Sequence, residues 1–368
     1  MSVSKRPDGK WRARVRVDGV EKAQHFRNKV DAENWEREQR TAVAKGTFID
    51  PANARRTFRE IADEWQERQS TWRPSTAALA KNSLERHVYP RIGDRRIGTL
   101  RPSDMEALAK ALSDDLAATT VITVMRYTSG VFKSAVRDRI IPSSPMMDLR
   151  LKQPEQRRIV PLTVEQLDGL EEALPDRLAA LVIVGAGLGL RQGEAFALTV
   201  DRVDFLRRRV EIDRQIVSPP GKGTTPGFAP LKTLSSRRFV PLPDAVGERL
   251  ARHIAEHDIA PDALLFTAVA GGPLRRQVFG GTWRSAVNRA AVPTGTGYHD
   301  LRHTYASTLI SAGVSVRAVA ANLGHKDPMV TLRTYAHLMP DDEDRTRSAV
   351  AEFLARADQT RTGAAENA

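Results

Sequence analysis

Two arginines, two histidines and a tyrosine in the C-terminal half of the sequence are the residues best suited to catalysis. They are Arg191, His299, Arg302, His325 and Tyr335. Attack on a phosphodiester gathers negative charge on the non-bridging oxygens, and fixed cationic donors stabilise that charge. Arginine suits this task because its planar guanidinium donates two parallel hydrogen bonds and keeps its charge. The set therefore indicates phosphoryl transfer with a phenol as nucleophile.

The local sequence predicts how the histidines are held. His299 and Arg302 are three residues apart at the start of a predicted helix, which places both side chains on one face. An imidazole there can exchange a proton with a nucleophile. Gly324 is typical of the left-handed residue that follows a helix end, so we expect His325 to sit on a rigid turn.

Tyr335 lies in a short helix that Asp327 is expected to cap and Pro328 to begin. A phenol with a reference pKa near roughly 10 is a poor nucleophile at neutral pH. We expect nearby cations to lower the pKa of Tyr335 and so favour the phenolate. A single tyrosine is more often a half-buried amphipathic residue, so this assignment depends on the accompanying motifs.

Four motifs occur in an order that resembles the tyrosine recombinases, also called the phage integrase family. They are the stretches 189–194, 299–303, 323–325 and 331–337. Tyr335 follows the Gly-His turn by ten positions, as in the family. The resemblance implies that Tyr335 attacks DNA to form a 3′-phosphotyrosyl bond, while His299 assists proton movement. It also implies that the transition state is stabilised by Arg191, Arg302 and His325.

Two further residues match family positions. The family's general acid is a lysine on a β-hairpin turn, and Lys232, ahead of the stretch 238–242, matches that context. Lys222, on the preceding loop, is a weaker competitor. Glu194, three residues after Arg191, matches an acidic position that would hold the arginine in place, although it could equally be a plain surface group.

Neither a metal nor another cofactor is expected. The sequence has no cysteine, which excludes disulfides, thiol catalysis and Cys-ligated zinc. The histidines at positions 299, 303, 325 and 337 match no zinc spacing, and no Walker-type phosphate loop occurs. The resemblance implies that no ATP is needed, because a phosphotyrosyl bond keeps the energy of the broken phosphodiester.

The overall composition favours an anionic partner. The 368 residues carry a formal net charge of +12, and nucleic acid is the commonest partner of such a basic chain. Neither a secretory signal nor an apolar run of membrane-spanning length is apparent. We therefore expect a soluble intracellular protein, and the resemblance implies the cytoplasm of a bacterial host, at the nucleoid.

The N-terminal segment 1–50 is expected to form a three-stranded sheet backed by one helix. Residues 11–17 alternate with period two, which predicts a strand with Arg12, Arg14 and Arg16 on one face. For an arbitrary protein this face would be solvated surface. Here it resembles the arm-site DNA-binding domain of phage integrases, whose sheet enters the major groove.

The rest of the chain is predicted to be multidomain and mainly α, with small β-sheets. Residues 57–147 are predicted to be all-helical, with Ser103 capping one helix. This segment resembles the core-binding domain of the family. Residues 148–160 are predicted to form a linker, and residues 356–368 are predicted to be a disordered tail. Between them, residues 161–355 are predicted to form an α+β catalytic domain. The candidate core-site contacts are Arg73, Lys81, Arg86, Arg126 and Lys133, each of which could singly be solvated surface.

The resemblance implies a phage or mobile-element integrase that acts as a homotetramer on two synapsed duplexes, through a Holliday junction. A host DNA-bending factor and an excisionase are partners that it allows. An Xer-type resolvase shares the chemistry but normally lacks the N-terminal sheet. A type IB topoisomerase and a non-catalytic DNA-binding regulator are further alternatives. The apolar residues of segment 348–355 are equally compatible with packing on their own domain and on a neighbouring protomer.

Overall fold

The structure, a computed structural model, describes residues 3–17, 20–44, 48, 50, 52–154, 159–219, 224–231, 236–339, 346–348 and 350–355. The chain divides into two compact units, Met1–Gln156 and Arg157–Ala368. Both combine helices with small antiparallel sheets, which confirms the predicted fold class. Within the described ranges, no helix is both long and apolar enough to cross a membrane.

The first unit begins with a three-stranded antiparallel sheet backed by a helix. Its elements are β1 (Val3–Lys5), β2 (Trp11–Val17), β3 (Val20–Phe26) and α1 (Lys29–Ala44). Ala13 and Val15 of β2 are buried, as is Ala32 of α1, because alternate residues of a strand point to opposite faces. The arginines of β2 therefore lie on the face away from the buried side chains.

A helical bundle with its own apolar core completes the first unit. Its helices are α2 (Phe58–Glu67), α3 (Pro74–Ser83), α4 (Pro102–Asp115) and α5 (Ala118–Arg137). A π-helical segment, Leu84–Gly93, continues α3. The cap expected at Ser103 is wrong: α4 already begins at Pro102, and the Asp104 carboxylate accepts the Arg101 N–H. Proline suits that position because the first helical N–H has no intrahelical partner.

The second unit places short strands among longer helices. Its strands are β4 (Val203–Asp204), β5 (Arg209–Ile212), β6 (Arg214–Val217), β7 (Gly227–Pro230) and β8 (Arg238–Pro241). They form an antiparallel sheet of order β4-β5-β8 and a separate β6-β7 pair. Its helices are α6 (Val164–Ala173), α7 (Asp176–Ala179), α8 (Leu181–Leu188), α9 (Gln192–Phe196), α10 (Asp244–Glu256), α11 (Arg276–Arg289), α12 (Tyr298–Ser311), α13 (Val316–Leu323) and α14 (Pro328–Tyr335).

Helices α8 and α12 pack closely and form the scaffold of the candidate site. Gly185 of α8 makes this approach possible, because a Cβ there would meet the Leu301 side chain at 2.6 Å. Thr163 and Gln166 form a capping box at the start of α6. The Leu162 N–H donates to the Thr304 hydroxyl at 3.0 Å, so the entry to this unit is fixed to α12.

Candidate active site

Arg302 lies at the centre of the candidate site. Its side chain is only 2% exposed, although it carries a charge. Nη1 donates to the Gly189 carbonyl at 2.7 Å, and Nη2 donates to the Leu323 carbonyl at 2.6 Å. Burial lowers the pKa of Arg302 to about 9, so the guanidinium remains charged at neutral pH. The residue therefore supplies a fixed positive charge in a largely dehydrated position.

Arg191 and Glu194 form an ion pair at the start of α9. Arg191 Nη1 donates to Glu194 Oε1 at 2.9 Å, and the Arg191 N–H donates to Oε2 at 2.9 Å. Glu194 is 3% exposed, which is incompatible with the plain surface group that the sequence left open. A second guanidinium nitrogen, Nη2, donates to the Gly324 carbonyl at 3.1 Å.

Arg238 of β8 is a member of the cluster that the sequence interpretation missed. Its Nη2 donates to Glu194 Oε2 at 2.9 Å and its Nη1 to Oε1 at 3.3 Å, in a two-point pair. Burial raises the pKa of Glu194, but Arg238 and Arg191 outweigh it and keep the pKa below its usual value. The carboxylate is thus charged and shared between two arginines from different elements.

Three guanidinium groups converge on the C-terminal end of α13. Arg238 donates to the Asn322 carbonyl at 2.6 Å, next to the carbonyls that Arg302 and Arg191 reach. The last carbonyls of a helix lack intrahelical partners and carry partial negative charge, so they are natural acceptors for cations. The end of α13 therefore sets the positions of the arginines in the site.

His325 follows the left-handed Gly324 (φ 63°) that ends α13. Arg302 Nη2 donates to His325 Nε2 at 3.1 Å, so Nε2 must be unprotonated. The proton is then on Nδ1, which donates to the Thr331 hydroxyl at 2.8 Å. Burial, reinforced by the charge of Arg302, lowers the pKa of His325 to about 4. The neutral ring is held with a defined tautomer.

Tyr335, at the end of α14, is 2% exposed and packs against Leu323 and Tyr305. Burial raises its pKa to about 12, although Arg302 acts in the opposite direction. Arg302 therefore lowers the pKa of Tyr335 as expected, but this effect does not offset the dehydration of the phenolate, which dominates in this state. The hydroxyl keeps its proton at neutral pH.

His303 is the second residue that the sequence interpretation missed. Its Nδ1 lies 2.7 Å from Tyr335 Oη. Its ring also packs edge-on against His299, with 4.7 Å between the ring centroids. His303 is four residues after His299 and therefore shares its helix face, a spacing that could have identified it.

His299 itself lies at the surface of the second unit, on the first turn of α12. Dehydration by the surrounding protein and the adjacent His303 and Arg302 lower its pKa. A neutral imidazole at the rim of the site can accept a proton, which agrees with the role implied by the resemblance. Lys232 and its competitor Lys222 lie outside the described residues.

The candidate DNA contacts of the first unit are distributed over exposed surfaces. Arg12 and Arg14 pair with Glu21 of β3 at 3.1 Å and 3.5 Å, while Arg16 is exposed on the same strand. The helical part also presents exposed basic side chains at Arg73, Lys81, Arg86, Arg126 and Lys133. Among the residues that the structure describes, no cluster of His, Asp or Glu could hold a metal ion.

Comparison with known sequences identifies the family. The sequence profile of the phage integrase family matches residues 157–341, and that of the phage integrase central domain matches residues 58–152. The chain belongs to the phage integrase family. The first profile spans the elements that carry Arg191, His299, Arg302, His325 and Tyr335, so the clustered residues lie in the region that defines the family.

Members of the phage integrase family match this chain over most of its length. The integrase of Mycobacterium phage L5 is 25% identical over 352 residues, which cover 92% of this chain and 91% of that protein. The Tn1549 transposon integrase, solved in complex with transposon right end DNA, has a TM-score of 0.69 and 22% identity, covering 82% of this chain and all of that one. A lambda integrase tetramer bound to a Holliday junction gives a TM-score of 0.56 and 16% identity, covering 89% of this chain and 96% of that one. These structural matches support the fold.

Proposed function

We propose that this chain is a site-specific DNA recombinase that integrates a phage or another mobile element. Membership of the phage integrase family and the full-length similarity to an integrase of Mycobacterium phage L5 support this function. The observation that carries the proposal is the convergence of Arg191, Arg302 and His325 on one helix end, beside the helix of Tyr335. This arrangement concentrates positive charge that could stabilise one phosphate, next to the helix that carries the hydroxyl nucleophile.

In the proposed reaction, Tyr335 Oη attacks the scissile phosphorus and forms a 3′-phosphotyrosyl bond. The bond to the 5′ oxygen breaks, and that oxygen takes a proton from Lys232, whose assignment rests on the family resemblance. Arg191, Arg302 and His325 stabilise the charge on the non-bridging oxygens. His299 assists proton movement, and Glu194 holds Arg191. Reversal by another 5′ hydroxyl rejoins the strand without ATP or a metal.

The proposed division of labour follows the domain pattern of the family. Segment 1–50 binds arm sites through Arg12, Arg14 and Arg16, and 57–147 binds the core site. Segment 148–160 links them to the catalytic domain at 161–355; the proposed tail, 356–368, lies outside the described residues.

A homotetramer on two synapsed duplexes is the proposed active form, as in the lambda integrase tetramer solved on a Holliday junction. A host DNA-bending factor or an excisionase would act with it on arm sites. We place this activity in the bacterial cytoplasm, at the nucleoid.

Covalent trapping tests the proposal. The protein is incubated with a nicked suicide duplex that carries its attachment site, and the adduct is resolved on a denaturing gel. Wild-type protein should form a protein–DNA adduct, and Tyr335→Phe should form none while it still binds the duplex. Equal behaviour of the two proteins would contradict the proposal. Relaxation of plasmids without an attachment site would instead indicate a topoisomerase.

A further inference from the structure

The contact between His303 and Tyr335 has no place in the reaction described so far. His303 Nδ1 lies 2.7 Å from Tyr335 Oη, which is within the range of a strong hydrogen bond. Tyr335 is 2% exposed, and the structure gives its hydroxyl no other hydrogen bond among the described residues. The environment of the nucleophilic oxygen is therefore set by this imidazole.

The protonation states of the two groups suit proton transfer from the phenol to the ring. Burial raises the pKa of Tyr335 to about 12, so Oη carries a hydrogen at neutral pH. Burial lowers the pKa of His303 below its ordinary value of 6.5, and Arg302 acts in the same direction, whereas Asp300 opposes both. The ring is therefore neutral at neutral pH, and Nδ1 can accept the phenolic hydrogen when Nε2 carries the ring proton.

We infer that His303 is the general base that activates Tyr335, an inference that rests on the proposed function. As Oη bonds to phosphorus, its O–H bond breaks and the proton passes to His303 Nδ1. The bond from phosphorus to the 5′ oxygen breaks in the same step, and that oxygen receives a proton from the general acid. In the rejoining step the imidazolium returns the proton to the departing phenolate.

The neighbouring groups are arranged for this role. His299, on the same helix face, packs against the His303 ring at 4.7 Å between centroids and lies at the protein surface. The charged groups near His303 are Asp300 and Arg302 of α12, and Tyr335 is the group that faces it from α14. Asp300 raises the pKa of His303 by more than Arg302 lowers it, although burial keeps the pKa below its ordinary value, so the imidazolium that forms during the reaction lies near a negative charge.

An asparagine substitution separates basicity from hydrogen bonding. In His303→Asn the amide oxygen can still accept a hydrogen bond from Tyr335 but cannot take its proton. We expect single-turnover cleavage of the suicide duplex to slow by about 100-fold or more, the usual range for loss of a general base. The affinity for the duplex should stay at the wild-type value. His257, an exposed histidine that directly follows α10, provides the matched control, and His257→Asn should cleave normally.

The pH profile distinguishes a base from a positioning residue. Wild-type cleavage should level off above the lowered pKa of His303, where the ring is neutral. Cleavage by His303→Asn should instead keep rising, by about tenfold per pH unit, because Tyr335 must then ionise without a base. His303→Gln provides a second amide in case the first variant folds poorly.

A sulfur-substituted duplex distinguishes a defect in activating the nucleophile from a defect in protonating the leaving group. When sulfur replaces the bridging 5′ oxygen, the leaving group needs no proton, and a defect in acid catalysis disappears. The His303→Asn defect should persist on this substrate. Disappearance of the defect, or wild-type cleavage by both folded amide variants, would overturn the assignment of His303. Failure of the wild-type protein to form any adduct would instead count against the proposed function.

Discussion

Glu194 carries a buried negative charge that two arginines share. Arg191 belongs to the same helix start as Glu194, whereas Arg238 comes from β8, 44 residues after Glu194. A buried carboxylate depends strongly on its partners, because an unpaired charge in the protein interior is costly. The geometry of Arg191 therefore depends on Arg238, which lies outside the family motifs that the sequence revealed.

Replacement of Arg238 by methionine should expose this dependence. The side chains of Arg238 and Glu194 are 7% and 3% exposed, so Arg238→Met should lower the free energy of unfolding by about 3 kcal/mol. The double variant Arg238→Met with Glu194→Gln should lose less than the sum of the single variants. Urea unfolding measures all of these values. Lys81→Met, which removes an exposed pair with Glu85, should change stability by less than about 0.5 kcal/mol.

Additive losses in the double variant would show that the two side chains act independently, contrary to the shared-charge interpretation. The cleavage assay adds a second readout. Arg238→Lys keeps the charge but has a single nitrogen, so it cannot reach Glu194 and the Asn322 carbonyl together. Compared with Arg238→Met, we expect Arg238→Lys to regain part of the free energy of unfolding of the wild type and a smaller part of its cleavage rate.

The order of the motifs indicated Arg191 and Arg302 but not Arg238, and it did not indicate the proton state of any residue in the site. Arg191, Arg302, His325 and Tyr335 were recognisable because their order along the chain is distinctive. The rise in the pKa of Tyr335 was not predictable, since it depends on how deeply α14 buries the ring. The spacing of His303 from His299 was a usable signal, but the contact of His303 with Tyr335 was not predictable, because it joins positions 32 residues apart.

At the scale of elements, the end of α13 is the part of the site that most depends on backbone geometry. Gly324 has a φ of 63°, and a Cβ at this position would lie 3.0 Å from Nη1 of Arg238. The sequence predicted this left-handed residue and the strand Trp11–Val17. It did not predict that three arginines would share the carbonyls of this turn, because those contacts span distant elements.

Replacement of Gly324 by alanine should therefore lower the free energy of unfolding by more than backbone strain alone would. Gly324→Ala should lower the free energy of unfolding by more than the roughly 1–2 kcal/mol expected of a left-handed alanine, and should also slow DNA cleavage. Gly271→Ala is the matched control, since Gly271 has a φ of 76° and no atom within 4 Å of the added Cβ. Thermal or urea unfolding of both variants measures the difference, and equal losses would contradict a role for the contact with Arg238.

At the scale of the whole molecule, the net charge of +12 matters through its distribution. The face of β2 that carries Arg12, Arg14 and Arg16 also contains Glu21 of β3, which pairs with the first two arginines. DNA that docks on this face must compete with a carboxylate for the guanidinium groups. Binding to arm sites is therefore expected to reflect both the arginines and this acidic residue.

Substitutions on this face should separate arm binding from cleavage. The triple variant Arg12→Ala, Arg14→Ala and Arg16→Ala should weaken binding to arm DNA and flatten its salt dependence, because fewer counterions are released. Cleavage of an isolated core site should be unchanged. Glu21→Gln should act in the opposite direction and tighten arm binding. Fluorescence anisotropy at several salt concentrations measures these effects, and an equal loss on arm and core DNA would refute the assignment of segment 1–50.

The turn after α13, whose carbonyls three arginines share, also limits which insertions and deletions the sequence can accommodate. An α-helix advances by about 100° per residue, since it has 3.6 residues per turn. A one-residue insertion or deletion within Val316–Leu323 would rotate the terminal carbonyls away from Arg191, Arg238 and Arg302 together. We therefore expect the number of residues between the start of α13 and His325 to be constrained, because a change of a single residue would disrupt the site.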